Sequence, residues 1–384
     1  MKALAPTVCS PMLGSAFALI IAAFTRPFKP EETAWHGIPD FSLLEHNITI
    51  PGYSPFFPQA HCTSDGSICQ AVTGESEINA ASSMTALVLS PAFDLKRTYF
   101  LIAGIAGINP KQGTLGSVGF ARFAVQVTLQ REIDAREMPA NFSTGYFAQG
   151  ITFPGVYPQD IYGTEVFELN DDLRQLAMTF AKRGTLADDE HAQKYRANYA
   201  NDPAYAAATA PPSIVACDTA TSDVLWQGNL LGEAVANTTT LFTNGTATHC
   251  TSQQEDNATL EALIRGARAG LVDFARIISM QTASDFDRPY AGQAVGATLS
   301  LDSPGFEIAL KNIVAAGVPV VTGIVSGWHA RFEEGIKPSN YIGDILGSLG
   351  GTPNFGPGNG FARADEVGAK RSLGGRARRI FRGN

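Results

Sequence analysis

Short apolar runs rich in Val, Ile and Phe, each closed off by Gly or Pro, recur along the chain at Tyr99–Ala103, Val118–Val127, Ser213–Ala216, Ile277–Met280 and Val318–Val325. Runs of this length and composition predict strands buried on both faces. Between them lie stretches whose apolar residues recur every three or four positions: Ile78–Leu89, Asp171–Lys182, Asp188–Tyr199, Leu260 through Ile264 to Phe274, and Gly305–Ala315. That period predicts helices with one apolar face. Strands alternating with helices predict an α/β fold, a mostly parallel sheet covered by helices. No internal repeat breaks the pattern and no linker divides it, so residues 25–360 read as one domain.

The ends read differently. The apolar run Met12–Phe24 follows Lys2 and falls short of the roughly 18 residues a membrane-crossing helix needs, and nothing later comes closer, so no membrane span is expected. Its basic start and short apolar middle read as a secretory signal peptide cut near Ala22 or Ala23. The alternative is that Phe17–Phe24 supplies the first strand of the sheet. At the other end, residues 361–384 are rich in Gly and Arg and read as a disordered basic tail.

Composition narrows the function. With 384 residues, 45% hydrophobic and 17% charged, the chain is globular. A formal net charge of -8 excludes a general nucleic-acid binder. Sequons at Asn47, Asn141, Asn237, Asn244 and Asn257 fit the secretory pathway, with an extracellular, cell-wall or vacuolar destination. Cys9 lies in the segment read as a signal peptide, which leaves Cys62, Cys69, Cys217 and Cys250 as an even set for an oxidising compartment. Four cysteines allow three connectivities, of which Cys62–Cys69 with Cys217–Cys250 is the one expected. The six scattered histidines form no metal-ligand spacing, so neither metal nor cofactor is expected. His249 is an outside option for approaching a sugar.

Glycines punctuate Tyr99–Gly113, where Gly104 and Gly107 bracket Ile105 and Ala106 just past an apolar run. Glycine there lets a ligand come close to the backbone, although a tight turn explains the pair equally well. The surrounding segments are TGESEINAA (73–81), LIAGIAGINPKQGTLGSV (101–118), STGYF (143–147), IYGTEVFE (161–168), QEDNATLEAL (254–263), TASDFDRP (282–289) and NYIGDILGSLGG (340–351). Together they resemble the purine nucleoside permease family of fungi, from about Pro30 to Gly358. That family is similar in turn to the nucleoside phosphorylase-I superfamily, which includes nucleosidases. The resemblance implies a three-layer α/β/α fold with a mostly parallel mixed central sheet. It also implies purine nucleosides such as adenosine, guanosine and inosine as ligands. It leaves room for a homo-oligomer, since superfamily relatives complete their pockets across subunit interfaces.

Residue roles follow from the same resemblance. Ser284 and Asp285 match the superfamily pair at the purine base, where the acid protonates N7. A half-buried carboxylic acid suits that task because it neutralises the departing purine. Asp256, with Glu255 before it, matches the acid that grips the ribose hydroxyls, and a carboxylate accepts two such bonds at once. A glycan on Asn257 would block that pocket, so this sequon is expected to stay empty. In PEETAW (30–35), Glu31 falls where the nucleosidases carry the carboxylate that activates water, with Glu32 as the neighbouring alternative. SIVACDTATSDVLWQG (213–228) matches the purine-stacking loop, with Leu225 or Trp226 near the aromatic position. Ile105 stands where a serine would help hold phosphate. That tilts the expectation from phosphorolysis toward hydrolysis in nucleoside salvage. The alternative is a transport component that binds nucleosides without turnover.

Overall fold

Ten consecutive residues from Tyr99 to Ile108 form the strand around which the rest assembles. Successive side chains of a strand point to opposite faces. Here Phe100 and Ile102 enter one apolar cluster while Tyr99, Leu101 and Ala103 enter another, and all five are buried. A strand apolar on both faces has to be covered twice, and this requirement sets the layers.

The computed structural model describes residues 18–22, 30–300 and 303–356. The chain begins β1 (Ala18–Ala22), α1 (Pro30–Ala34), β2 (His46–Thr49), β3 (Gln59–Cys62), β4 (Ile68–Val72), α2 (Ser76–Leu89), β5 (Tyr99–Ile108), β6 (Val118–Ala121) and β7 (Phe123–Gln126). A two-stranded sheet of β8 (Gln130–Glu132) and β9 (Tyr146–Ala148) precedes β10 (Val166–Glu168), α3 (Asp171–Ala181) and α4 (Glu190–Arg196). Then come β11 (Ile214–Ala216), β12 (Asp218–Thr221), α5 (Asn229–Phe242), β13 (His249–Gln253) and α6 (Asp256–Arg268). Last are β14 (Ile277–Phe286), α7 (Ala297–Ser300), α8 (Phe306–Ser326) and β15 (Gly343–Asp344).

On one face of the main sheet, α2 brings Met84, Leu87 and Val88 and α6 brings Leu260 and Leu263. On the other, Trp35 at the end of α1 packs with Leu173 and Ala177 of α3 and Ile313, Ala316 and Val320 of α8. This is a three-layer α/β/α arrangement around a large mixed sheet. Pairing is parallel through β4, β1, β5 and β14, and again through β13, β12 and β7. It turns antiparallel at β2 and β3, at β5 with β13, at β6 with β14, and at β10. Both expected disulfides are formed: Cys62–Cys69 links residues directly opposite on β3 and β4, and Cys217–Cys250 ties the start of β12 to β13.

The N-terminal run contributes β1, in register with Ile68 of β4 and Tyr99 of β5 at Ala18. Cleavage near Ala22 or Ala23 would therefore take a strand from between β4 and β5. The remainder of Met12–Phe24, Cys9 and the basic segment 361–384 lie outside the described residues.

Val318–Val325, expected as a strand, is the second half of α8. A short β-branched run has no period of its own that separates a buried strand from a buried helix. What decides is the longer stripe Ile308, Ala309, Ile313, Ala316, Val320, Val321 and Ile324, all buried at helical spacing. Pro319 sits inside this helix and deprives the Ala315 carbonyl of its usual donor. That carbonyl lies against Gly184, where a β-carbon would come within 1.8 Å. By length and composition α8 is also long and apolar enough to cross a membrane, with a mean hydropathy of 1.8, contrary to the expectation that no later stretch approaches that limit. Its buried stripe packs on the sheet. Two other boundaries shift: β5 continues past Ala103 to Ile108, and the helix expected to reach Phe274 ends at Arg268, shortly before Gly270 turns at φ +70.

Gly317 lets α8 approach the end of α1, because a β-carbon there would fall 2.3 Å from Trp35 Cη2. Gly317→Val is expected to lower stability by about 1–3 kcal/mol through overpacking, read as a lower urea midpoint with an unchanged slope.

Candidate functional site

The glycine segment lies inside β5, where the two edges of that strand are treated differently. Along one edge β14 accompanies it from Phe100 to Ile108. Along the other, among the described residues, β1 pairs from Tyr99 to Ala103 and β13 at Gly107 and Ile108. Gly104, Ile105 and Ala106 thus face a gap between the described parts of two strands. A buried backbone N–H in such a gap must find a partner. Glu31, in the first turn of α1, supplies it: its Oε1 accepts from Ile105 N at 2.8 Å. The other oxygen, Oε2, is buried without a hydrogen bond. Burial drives the Glu31 pKa well above the usual carboxylate range against the pull of the Ile105 bond, and the charges of Glu255 and Glu75 push the same way.

Opposite this gap, β14 carries a bulge. Ala283 pairs with Ala106 and Asp285 with Gly107, so Ser284 is the extra residue that re-aims its neighbour. Ser284 Oγ donates to Asp285 Oδ1 at 2.7 Å and lies 3.2 Å from the Ala106 carbonyl. Gly107 leaves room for the acid, since a β-carbon there would come within 3.4 Å of Asp285 Oδ2. Burial raises the Asp285 pKa and the Ser284 bond opposes it. Asp285 also lines an open cleft with Gly107, Leu225, Trp226, Gln254 and Asp287. Leu225 is 71% exposed at its mouth. Trp226 is half-buried and packs its ring on His249, whose centroid is 6.1 Å away. His249 is buried, bonded to Ser252 Oγ at 2.9 Å and pushed down to about 3 by burial, so it serves as a neutral packing group beneath Trp226.

The two acids at the start of α6 part company. Asp256, assigned above to the ribose hydroxyls, is fully engaged with β14: Oδ2 accepts from Ser279 Oγ at 2.6 Å and Oδ1 from Gln281 Nε2 at 2.8 Å. The reason is geometric, because the first helical residue turns its side chain onto the adjoining strand. Glu255, just before it, accepts from Ser76 N at 2.9 Å and is pushed up to about 8, chiefly by burial. Its charge reaches Glu31, so Glu255 is the second acid of the gap. Asn257 is buried, with Oδ1 accepting from Thr221 and Nδ2 donating to the Thr164 carbonyl.

The loop after β4 completes the site and was not assigned from sequence. Ser76 adopts φ +77, a conformation unfavourable for a residue with a β-carbon. Asp223 holds it there by accepting from Ser76 Oγ at 2.7 Å and from Glu77 N at 3.0 Å. Gly74-Glu75-Ser76 was quoted above only as a matching segment, and its signal was an acid directly after a strand-ending glycine.

A family profile described as purine nucleoside permease matches residues 17–337. A purine nucleoside permease of Candida albicans is 45% identical over 336 residues, covering 86% of this chain and 81% of that protein. The chain belongs to the purine nucleoside permease family. A probable purine nucleoside permease of Schizosaccharomyces pombe is 44% identical over 311 residues, covering 78% of this chain and 88% of the other. Among solved structures, a 5′-methylthioadenosine/S-adenosylhomocysteine nucleosidase and a futalosine hydrolase of Helicobacter pylori are similar at 14% identity and a TM-score of 0.47, over 81% of this chain and 98% of theirs.

In this member of the permease family, no described Lys or Arg lines the cleft. Arg288, next to the cleft residue Asp287, is fully buried and occupied by Asp287 at 2.7 Å and Glu233 at 2.8 Å. The acids thus stand without a cation among them, and the two at the start of α6 separate experimentally. Asp256→Ala is expected to cost about 1–3 kcal/mol by stranding Ser279 and Gln281. Glu255→Gln is expected to change stability by less than about 1 kcal/mol at pH 7, because it removes a carboxyl that burial keeps reluctant to ionise. Denaturant unfolding of both variants checks the pair.

Proposed function

We propose that this chain binds purine nucleosides and hydrolyses their N-glycosidic bond. The observation that carries the reading is the placement of two acids about one gap: Asp285, raised by burial and aimed past Gly107, and Glu31, whose Oε2 has no hydrogen bond. The family supports the choice of ligand, since its profile and relatives bear the name purine nucleoside permease.

In this reading the purine lies against Leu225 and Trp226, and the ribose lies between Glu255 and Glu31. Asp285 gives its proton to N7 as the C1′–N9 bond breaks and its electron pair leaves with the base. The sugar becomes an oxocarbenium-like cation, which the carboxylates around it favour. Glu31 takes a proton from water, whose oxygen forms the new bond to C1′. Water is preferred to phosphate because the cleft offers acids and no described Lys or Arg, so a phosphate dianion there would go without a compensating charge. The relatives' name favours a second reading, a binding component of nucleoside transport without turnover.

Incubating the purified chain with adenosine, guanosine and inosine, with and without phosphate, separates the readings. Free base and ribose are expected, independent of phosphate, and Asp285→Asn is expected to lower kcat by about 10²–10⁴-fold. Nucleoside binding with no base release supports transport instead, and an unimpaired Asp285→Asn chain removes Asp285 as the acid.

Binding is also pH-linked. Glu255, at about 8 in the empty site, is largely protonated at neutral pH, whereas ribose hydroxyls donate best to its ionised form. Binding at pH 7 is therefore expected to release protons, and affinity to rise as pH approaches about 8. Calorimetry in buffers of different ionisation enthalpy reads this directly, and proton uptake on binding contradicts it.

A further inference from the structure

A second chamber opens beside the cleft and shares Gln254 with it. It lies between the loop joining β2 to β3 and the loop after β4. Phe56 and Phe57 form its apolar side, while Ser54, Glu75, Ser76 and Asn79 form its polar side. No described Lys, Arg or His lines it. Asn79 Nδ2 donates to the Glu75 carbonyl at 2.6 Å, tying this segment to the first turn of α2. The Glu75 charge reaches both Glu31 and Glu255, so the chamber adjoins the carboxylates of the gap. Glu31 itself is 5% exposed and leaves Oε2 without a hydrogen bond, which marks a place where a ligand donor is wanted.

We infer that this chamber receives the 5′ end of the nucleoside and that Glu75 makes it a filter, accepting a 5′-hydroxyl or 5′-ammonium group and rejecting a 5′-phosphate. The inference rests on the nucleoside reading above. Base and C5′ leave the ribose from the two carbons flanking the ring oxygen. A ribose at Glu255 with its base in the first cleft therefore sends C5′ past Gln254 into the second chamber. A hydroxyl or ammonium there donates to the Glu75 carboxylate, whereas a phosphate dianion meets that carboxylate with no described Lys, Arg or His lining the chamber to offset it. Consequently a phosphomonoester hydrolysis has to precede this protein wherever the starting material is a nucleotide.

The test compares adenosine, 5′-amino-5′-deoxyadenosine and adenosine 5′-monophosphate on the wild-type chain and on Glu75→Gln, reading Kd by calorimetry and kcat/KM for any that is cleaved. The monophosphate is expected to bind at least about tenfold more weakly than adenosine, and the amino analogue more tightly than the monophosphate by a larger factor. The gap between adenosine and its monophosphate is expected to shrink at least about threefold in Glu75→Gln, and to shrink on the wild type as salt rises to about 0.5 M. A monophosphate that binds as well as adenosine overturns the inference, as does a gap that neither Glu75→Gln nor salt alters. Should the variant fail to fold, the salt series on the wild type decides alone. Failure of adenosine itself to bind overturns the nucleoside reading, a result distinct from binding without discrimination.

Discussion

The bond from the Ile105 N–H to Glu31 closes a stretch of β5 edge between the described pairings with β1 and β13, and the candidate site depends on it. Without an acceptor the gap would leave a buried donor unpaired, at a cost of about 1–3 kcal/mol. With a carboxylate as acceptor, a titratable group is held at the carboxyl ends of the parallel strands β1, β4 and β5, where open α/β sheets place their ligand crevices. The support behind that carboxylate is apolar. Trp35 follows directly after the short helix that carries Glu31 and is seated over Gly317 of α8, so packing on one face of the sheet positions chemistry at its edge.

Electrostatics then follow from burial more than from pairing. Glu31, Glu255 and Asp285 are all raised, in each case chiefly by loss of water; the charges of Glu255 and Glu75 raise Glu31 further, and those of Asp256 and Glu75 raise Glu255 further. The cation nearest in sequence to Asp285, Arg288, is sequestered by Asp287 and Glu233. Such an environment disfavours anions and favours hydroxyl donors and a sugar that becomes positive as its bond to the base breaks. The strained Ser76, held by Asp223, links the two chambers to this arrangement by presenting its N–H to Glu255.

Much of this was legible in the sequence, for identifiable reasons. The start of β5 announces itself by an unbroken apolar run, α2 by its helical period, and the two disulfides by an even cysteine set. Asp285, Glu31 and Glu255 were singled out through motif resemblance, and the structure brings Glu31 and Glu255 within reach of each other's charge on one side of β5 and Asp285 opposite. What stayed hidden depends on tertiary partners. The strand-like Val318–Val325 became helix because its apolar stripe continues back to Ile308. Asp256 took a packing role because Ser279 and Gln281 of β14 reach it first. The extension of β5 through its glycines requires β13 and β14, which lie far away in sequence.

A crystal structure of the chain with a purine C-nucleoside, whose carbon–carbon glycosidic bond cannot be cleaved, tests the central claim most directly. The account predicts the base against Leu225 and Trp226 with its imidazole side toward Asp285, ribose hydroxyls on Glu255, and C1′ within reach of a water on Glu31. A nucleoside seated elsewhere, or one in the cleft with its sugar turned away from Glu31 and Glu255, would contradict it.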